Sequence, residues 1–490
     1  MTEFRCDPHG PTTPFPHVWE TCVGSGHATL ALRRDWLDQL KRCRRDLGVR
    51  AVRFHGILSD DVGTWSGPPE HPDSFHNAFL IYDGILEAGV KPFVELSFMP
   101  RSLARGGATV FSYDGIITPP ADPGAWAELI RRFVSELVRR YGAEEVRQWH
   151  FEVWNEPNLR DFWTGTQQEY FDLYRWAVQA IKSVDPDIPV GGPATANDEW
   201  VGDMVAYVEA HGLPLDFVTT HHYPTDAFGS PDDDTEKVLS EGQRGVMRER
   251  ALDTAARAGG RPVIYTEWNT SSNPRFWRHD TPYAAAFATK ACLDVVGVVE
   301  GYSYWTFSDI FEELHFSSVP FHGGFGLLTI HGVAKPTYRA FELMHGLGDE
   351  QLIVDGMHPT VDCTVTRRGD DLVALLTNHA LPGHPISDTD VVLRLEGAVE
   401  GAGEATIERV DANHANPRRA WEAMGEPSYP TADQIDQLHA ASEVGRETVA
   451  VEREPASAGA DGEDLTVSFR LPAHAVARVT IPAAARLRSA

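Results

Sequence analysis

The sequence predicts an α/β fold, a (β/α)8 TIM barrel with an accessory β-sandwich domain, on three observations. Apolar runs and helical stripes take turns eight times before about residue 350. The apolar runs are nearly continuous, as expected of strands covered on both faces. Beyond residue 350 the texture changes to short alternating strands. The eight candidate strands are Val18–Val23, Val49–His55, Lys91–Ser97, Trp149–Trp154, Ile188–Gly192, Asp216–Tyr223, Pro262–Trp268 and Gly301–Phe307. The clearest helix places Trp126, Leu129, Ile130, Phe133, Val134, Leu137, Val138 and Tyr141 on one stripe by spacings of three and four. Other helices are expected near 35–47, 73–88, 167–184, 199–212, 234–258, 282–299 and 335–346. Eight strand–helix pairs fit a closed barrel better than an open doubly wound sheet. No Gly-x-Gly-x-x-Gly loop follows the first strand, which weakens a nucleotide-binding reading.

In the accessory region Thr360–Arg367 and Leu372–Thr377, joined across Gly369-Asp370-Asp371, read as a hairpin. Asp390–Leu395, Ala405–Val410, Leu465–Arg470 and Ala475–Ile481 read as further strands, Arg418–Met424 and Ala432–Ser442 as inserted helices, and Pro455–Glu463 as an exposed loop. The expected division is an N-terminal segment, 1–15, that can pair with the accessory domain, a barrel over 16–346 and a sandwich over 347–490. A chain of 490 residues exceeds what one core usually fills, which agrees with this division.

Composition narrows the function classes. The formal charge is 43 − 71 = −28, spread along the chain, so nucleic acid and anionic membranes are excluded as partners. Neither an export signal nor a span of roughly 20 apolar residues is visible, and the chain is expected to be cytoplasmic. Five cysteines, Cys6, Cys22, Cys43, Cys292 and Cys363, lack paired spacing, so they read as reduced thiols rather than as disulfides or zinc ligands.

Two carboxylates carry the chemistry. Glu156 in Trp154-Asn155-Glu156-Pro157-Asn158 follows the fourth strand, and Glu267 ends the seventh. In a parallel barrel all strand C-terminal ends open on one face, so two residues 267 − 156 = 111 apart converge there. A carboxyl pair in that position fits hydrolysis of a glycosidic bond. A separation of roughly 5 Å suits double displacement with retention, and one of about 6.5–9.5 Å admits a water and inverts the anomeric centre. One carboxyl must stay protonated and the other ionised, and mutual repulsion helps to separate them. Adjacent His221 and His222 face opposite sides of a strand and make a poor chelate. No ligand pattern for a metal-dependent lyase is found.

Arg53-Phe54-His55-Gly56 with Ser59-Asp60-Asp61, Phe151–Asn158, Thr266–Ser271, Tyr304–Asp309 and Phe321–Gly326 together resemble glycoside hydrolase family 39, and its bacterial β-xylosidases in particular. Arg419-Ala420-Trp421 with Met424-Gly425 is similar to that family's C-terminal region. The resemblance implies a barrel with an accessory sandwich, hydrolysis with retention, and no metal or organic cofactor. It makes Glu156 the general acid/base and Glu267 the nucleophile. Asn155 matches the residue that binds the sugar 2-hydroxyl; Arg53 and His55 match second-strand positions near nucleophile and sugar; His221 and Tyr223 match sixth-strand positions, with Tyr223 donating to the nucleophile. Trp305 offers a platform for a sugar face, and Glu312 or Glu313 accepts from sugar hydroxyls. Trp268 and Ser272 depart from the tyrosines usual in the family's xylosidases, which bears on the pocket wall after the seventh strand.

The expected substrate is a small oligosaccharide, with terminal β-D-xylose removed from xylo-oligosaccharides. Xylose lacks a hydroxymethyl group, and bulk from Trp305, Phe307 or Phe311 would reject hexoses. A uronic acid would need a cation, whereas Phe311-Glu312-Glu313 offers negative charge. The alternatives are another glycoside (an α-L-arabinoside, β-glucoside or β-galactoside) on the same mechanism, or a non-catalytic carbohydrate-binding barrel, which would need neither carboxylate.

Overall fold

Eight parallel strands close into a barrel in chain order: Val23–His27, Ala51–His55, Lys91–Glu95, His150–Glu152, Val190–Thr195, Phe217–His221, Val263–Trp268 and Gly301–Tyr304. The last pairs with the first through Tyr304 and Val23. The computed structural model describes residues 1–65, 73–225, 234–313, 317–397, 403–455 and 463–482. Helices with buried apolar stripes surround the barrel. The helix Pro123–Tyr141 buries Trp126, Leu129, Ile130, Phe133, Val134 and Leu137, and is opened by Pro123 behind an Asp122 cap. Gln167–Val184 starts with a capping box between Thr166 and Glu169. Cys22, Ala51, Phe93, Phe217 and Ile264 form a buried apolar cluster within the barrel.

Two expected elements are corrected. The first strand is Val23–His27, whereas Val18–Glu20 is a short 3-10 turn that buries Trp19. Its sequence, Val23-Gly24-Ser25-Gly26-His27, has little strand character because its glycines serve packing. A Cβ on Gly24 would overlap the Trp305 ring, and one on Gly26 would press on Phe311 at 3.0 Å. The helix expected over 234–258 is two, Thr235–Ser240 and Val246–Arg257, divided by a stretch containing Gly242 and Gly245.

The accessory region forms two sheets. One has the strand order Val354–Asp355, Thr2–Cys6, Thr389–Leu395, Glu463–Leu471, Glu452–Pro455. The other runs Gly445–Ala450, Glu404–Val410, Ala475–Ile481, Asp371–Asn378, Val361–Arg368, Glu350–Leu352, Thr12–Pro14. Thr2–Cys6 pairs in parallel with Thr389–Leu395, so the start of the chain is woven into this region. Phe4, Val365, Leu376, Leu393, Ile407, Leu465, Val467 and Val479 lie in its core. Gly445–Ala450 and Glu452–Pro455 were not foreseen, since the first is mostly polar with no buried residue and the second is mostly charged. The helices Pro417–Ala423 and Ala432–Ala441 occur where expected. The loop expected over Pro455–Glu463 lies, apart from its ends, outside the described residues. All five cysteines are free, and among the described residues no helix is long and apolar enough to cross a membrane.

Candidate active site

A cleft of about 590 Å³ opens at the C-terminal ends of the barrel strands, lined by His55, Phe111, Asn155, Glu156, Phe162, Tyr223, Glu267, Ser272, Pro274, Trp305, Phe311, Glu313 and Phe325. The two glutamates singled out by sequence face one another. An oxygen of each and a ring nitrogen of His221 all lie within 4.8 Å of one another.

Their surroundings differ. The Glu267 oxygens accept from Arg53 Nη1 at 2.7 Å and from Tyr223 Oη at 3.0 Å. Arg53 is fully buried, and also donates through Nε to Glu152 at 2.6 Å and through Nη2 to Asn155 at 2.9 Å, with Glu95 2.7 Å from Nη2. One guanidinium thus spans three carboxylates and orients Asn155, a use of its planar donor fork that a lysine could not reproduce. Glu156 receives no such cation. Its Oε1 lies 2.9 Å from His221 Nδ1. Burial, then the neighbouring charge of Glu267, pushes the Glu156 carboxyl well above the usual carboxylate range.

His221 is held neutral: burial first, then the charges of Arg53 and His55, drive it well below the usual imidazole range. Thr266 Oγ1 donates to Glu152 at 2.8 Å and lies 3.1 Å from His221 Nε2. With the threonine proton spent on Glu152, Nε2–H donates to Thr266, and Nδ1 is left to accept from protonated Glu156. His222, on the opposite side of the strand, sits 2.8 Å from Asp198.

His55 stands beside Glu267, its Nε2 3.7 Å from Oε1. Its Nδ1 lies 2.8 Å from Glu95 and its Nε2 3.4 Å from Glu313. Burial opposes its charge, but the Glu95 and Glu313 carboxylates outweigh burial and raise the imidazole to about 10. Trp305 packs on this ring with centroids 4.9 Å apart, and forms one wall with Phe311 and Phe325. Glu313 Oε1 is buried without a hydrogen-bond partner, an acceptor offered to the cleft.

Glu312, expected as an equal candidate, is turned away. Its carboxylate lies 3.3 Å from His27 Nδ1, and it does not line the cleft. Successive residues of an extended segment face opposite sides, so only one of this pair enters. Phe307 is also outside, buried against Trp36 at 5.0 Å. Trp268 is fully buried and stacked on Tyr302 at 4.3 Å, so it leaves the wall to Ser272, whose hydroxyl is 2.9 Å from that of Thr225.

Glu95 and Glu152 were missed by sequence reading, together with Phe111, Phe162 and Phe325. The first two had a signal: each is an acid inside an apolar run, Phe93-Val94-Glu95-Leu96 and Phe151-Glu152-Val153. A charge on a central strand is tolerable only when it is paired.

The Glu156–His221–Glu267 cluster resembles a ligand set in spacing alone. Arg53 and His55⁺ flank it, and His221 Nδ1 is already bonded to Glu156, so a dication would meet repulsion and occupied donors.

The chain as a whole is similar to known proteins. The family model described as glycosyl hydrolases family 39 matches residues 3–457. A β-xylosidase of Caldicellulosiruptor saccharolyticus is 45% identical over 94% of this chain and 95% of its own length. A β-xylosidase of Geobacillus stearothermophilus is 37% identical over 87% and 86%. The structure of a family 39 β-xylosidase from Caulobacter crescentus superimposes with a TM-score of 0.83 at 31% identity, covering 98% of this chain and 99% of that one.

Proposed function

Because the chain belongs to glycosyl hydrolases family 39, we propose that it is a retaining β-xylosidase that removes terminal β-D-xylosyl residues from small xylo-oligosaccharides. The observation that carries the proposal is the opposite provision made for two facing glutamates. Glu267 accepts from a guanidinium and a phenol, which suits an ionised nucleophile, and Glu156 is buried beside a neutral imidazole, which suits an acid. An approach of their oxygens to within 4.8 Å fits the roughly 5–5.5 Å carboxyl spacing of double displacement better than the wider spacing of inversion.

In the first step the ionised Glu267 attacks the anomeric carbon as Glu156 gives its proton to the leaving oxygen. In the second, Glu156 takes a proton from water, which attacks the same carbon and releases Glu267. Asn155, oriented by Arg53, is placed to bond the 2-hydroxyl, a contact that strengthens as the oxocarbenium-like state forms. His55 and Glu313 supply a donor and an acceptor for sugar hydroxyls. Trp305, Phe311 and Phe325 supply the bulk that disfavours a hydroxymethyl group.

The test is a panel of aryl glycosides with wild type and Glu267→Gln. The β-D-xyloside should be the best substrate, β-xylose the first-formed product by NMR, and the variant inactive. Preferential cleavage of another sugar would overturn the substrate assignment; α-xylose appearing first would overturn the mechanism.

A further inference from the structure

Phe325 forms part of the cleft wall, yet its segment, Phe321–Leu328, belongs to no strand or helix of the barrel. Side chains hold much of it in place. The Gly323 amide donates to Asp280 Oδ2 at 2.7 Å and its carbonyl accepts from His279 at 2.9 Å. The Gly324 carbonyl accepts from Lys335 Nζ at 2.9 Å, and the Gly326 amide donates to Asp309 Oδ1 at 2.8 Å. The His279 ring lies 5.4 Å from that of Phe325. Lys335 is fully buried between Asp280 at 2.6 Å and Asp309 at 2.7 Å, one cation between two carboxylates.

The second cation comes from the accessory region. Arg418 donates to the Trp277 carbonyl at 2.8 Å, places its guanidinium over the Trp277 ring at 5.4 Å and approaches Asp280 to 3.8 Å. Trp421 is three residues on and so on the same helix face; its ring lies 5.7 Å from that of Phe321, in a cluster with Val333 and Leu438. The inserted helix Pro417–Ala423 therefore touches both the start of the wall segment and the turn Trp277–Asp280 beneath its middle.

We propose that the helices inserted in the sandwich are a brace for the sugar pocket, with Arg418, Trp421 and Lys335 acting as positioning residues for Phe325. The inference rests on the cleft being the glycone site, and gives the accessory domain a share in substrate affinity. Phe325 presents only apolar surface, so loosening it removes contact made equally by bound substrate and transition state. The proton chemistry at Glu156 is untouched.

The experiment compares wild type with Arg418→Met, Arg418→Lys and Trp421→Ala by hydrogen exchange over residues 321–328 and by kinetics on whichever aryl glycoside wild type cleaves best. Arg418→Met and Trp421→Ala should speed exchange in that segment and raise KM about fivefold, leaving kcat within about twofold and the pH profile unchanged. Arg418→Lys should recover part of the exchange protection. Unchanged exchange and KM in Arg418→Met would overturn the proposal, as would a fall in kcat at constant KM. Should Trp421→Ala fail to fold, Arg418→Met still decides. A wild type that prefers another glycoside would count against the substrate assignment alone, because the exchange measurement needs no substrate.

Discussion

The charge on Glu267 should raise the Glu156 carboxyl only while that charge exists, and a mechanism-based label removes it. A 2-deoxy-2-fluoro-β-xyloside with a good leaving group would esterify Glu267 and hold the intermediate. With their nearest oxygens at most 4.8 Å apart and an effective dielectric constant of about 20, the repulsion is on the order of 332/(20 × 4.8), about 3.5 kcal/mol. The sign follows from the roles. In the free enzyme Glu156 acts as an acid, so kcat/KM falls as pH rises through its raised pKa. In the trapped enzyme it acts as a base, so reactivation by water speeds up as pH rises through the lowered value. The midpoint of the reactivation profile should therefore lie well below the alkaline limb of kcat/KM. Coincident midpoints would refute the reasoning and point to burial alone as the cause of the raised carboxyl.

Three further outcomes are expected. Glu156→Ala should lose at least about a hundredfold in kcat on xylosides with poor leaving groups, much less on dinitrophenyl xyloside, and azide should restore turnover and yield the β-xylosyl azide. Far from the cleft, Glu20 lies 2.8 Å from both His17 and His345, and these bonds outweigh burial and lower its carboxyl from 4.5 to about 2. A depressed carboxyl stabilises above its unfolded value, so Glu20→Gln should lower the melting temperature at pH 6, with the difference closing between about pH 4.5 and 2. Dialysis against EDTA should leave kcat/KM unaltered, since Arg53 and His55⁺ stand where a dication would be repelled; activity lost with EDTA and restored by one divalent metal would contradict the site described.

The barrel was legible because its strands are apolar runs at regular intervals, and Glu156 and Glu267 because chain order alone puts both on one face. What escaped had a contact rather than a period as its cause. Val23–His27 reads as a loop until Trp305 and Phe311 are seen to need its glycines. Phe325 meets Arg418's partner segment, Trp277–Asp280, only in space, through Asp280 and His279, and nothing in local sequence announces that. Glu312 and Glu313 are chemically identical neighbours, and His27, reached from a different barrel loop, decides between them. Sequence periodicity reports which face of an element is buried, and leaves open which distant side chain will meet it.

The buried charges around the cleft follow one further constraint. Five carboxyls, Glu95, Glu152, Glu156, Glu267 and Glu313, share two cations, Arg53 and His55, while His221 is kept neutral. Full ionisation would leave 5 − 2 = 3 uncompensated negative charges among buried side chains, a costly arrangement. Three of the five are raised, each by burial first: Glu152, Glu156 and Glu313. Protonation of Glu156 lowers that excess, while Glu267 pairs with Arg53. When Glu156 gives its proton away and Glu267 becomes an ester, the negative charge passes from Glu267 to Glu156 and the total charge of the cluster is unchanged. Glycosyl transfer in this site therefore moves a negative charge across less than 5 Å instead of creating one, and the fixed cations serve both states without rearranging.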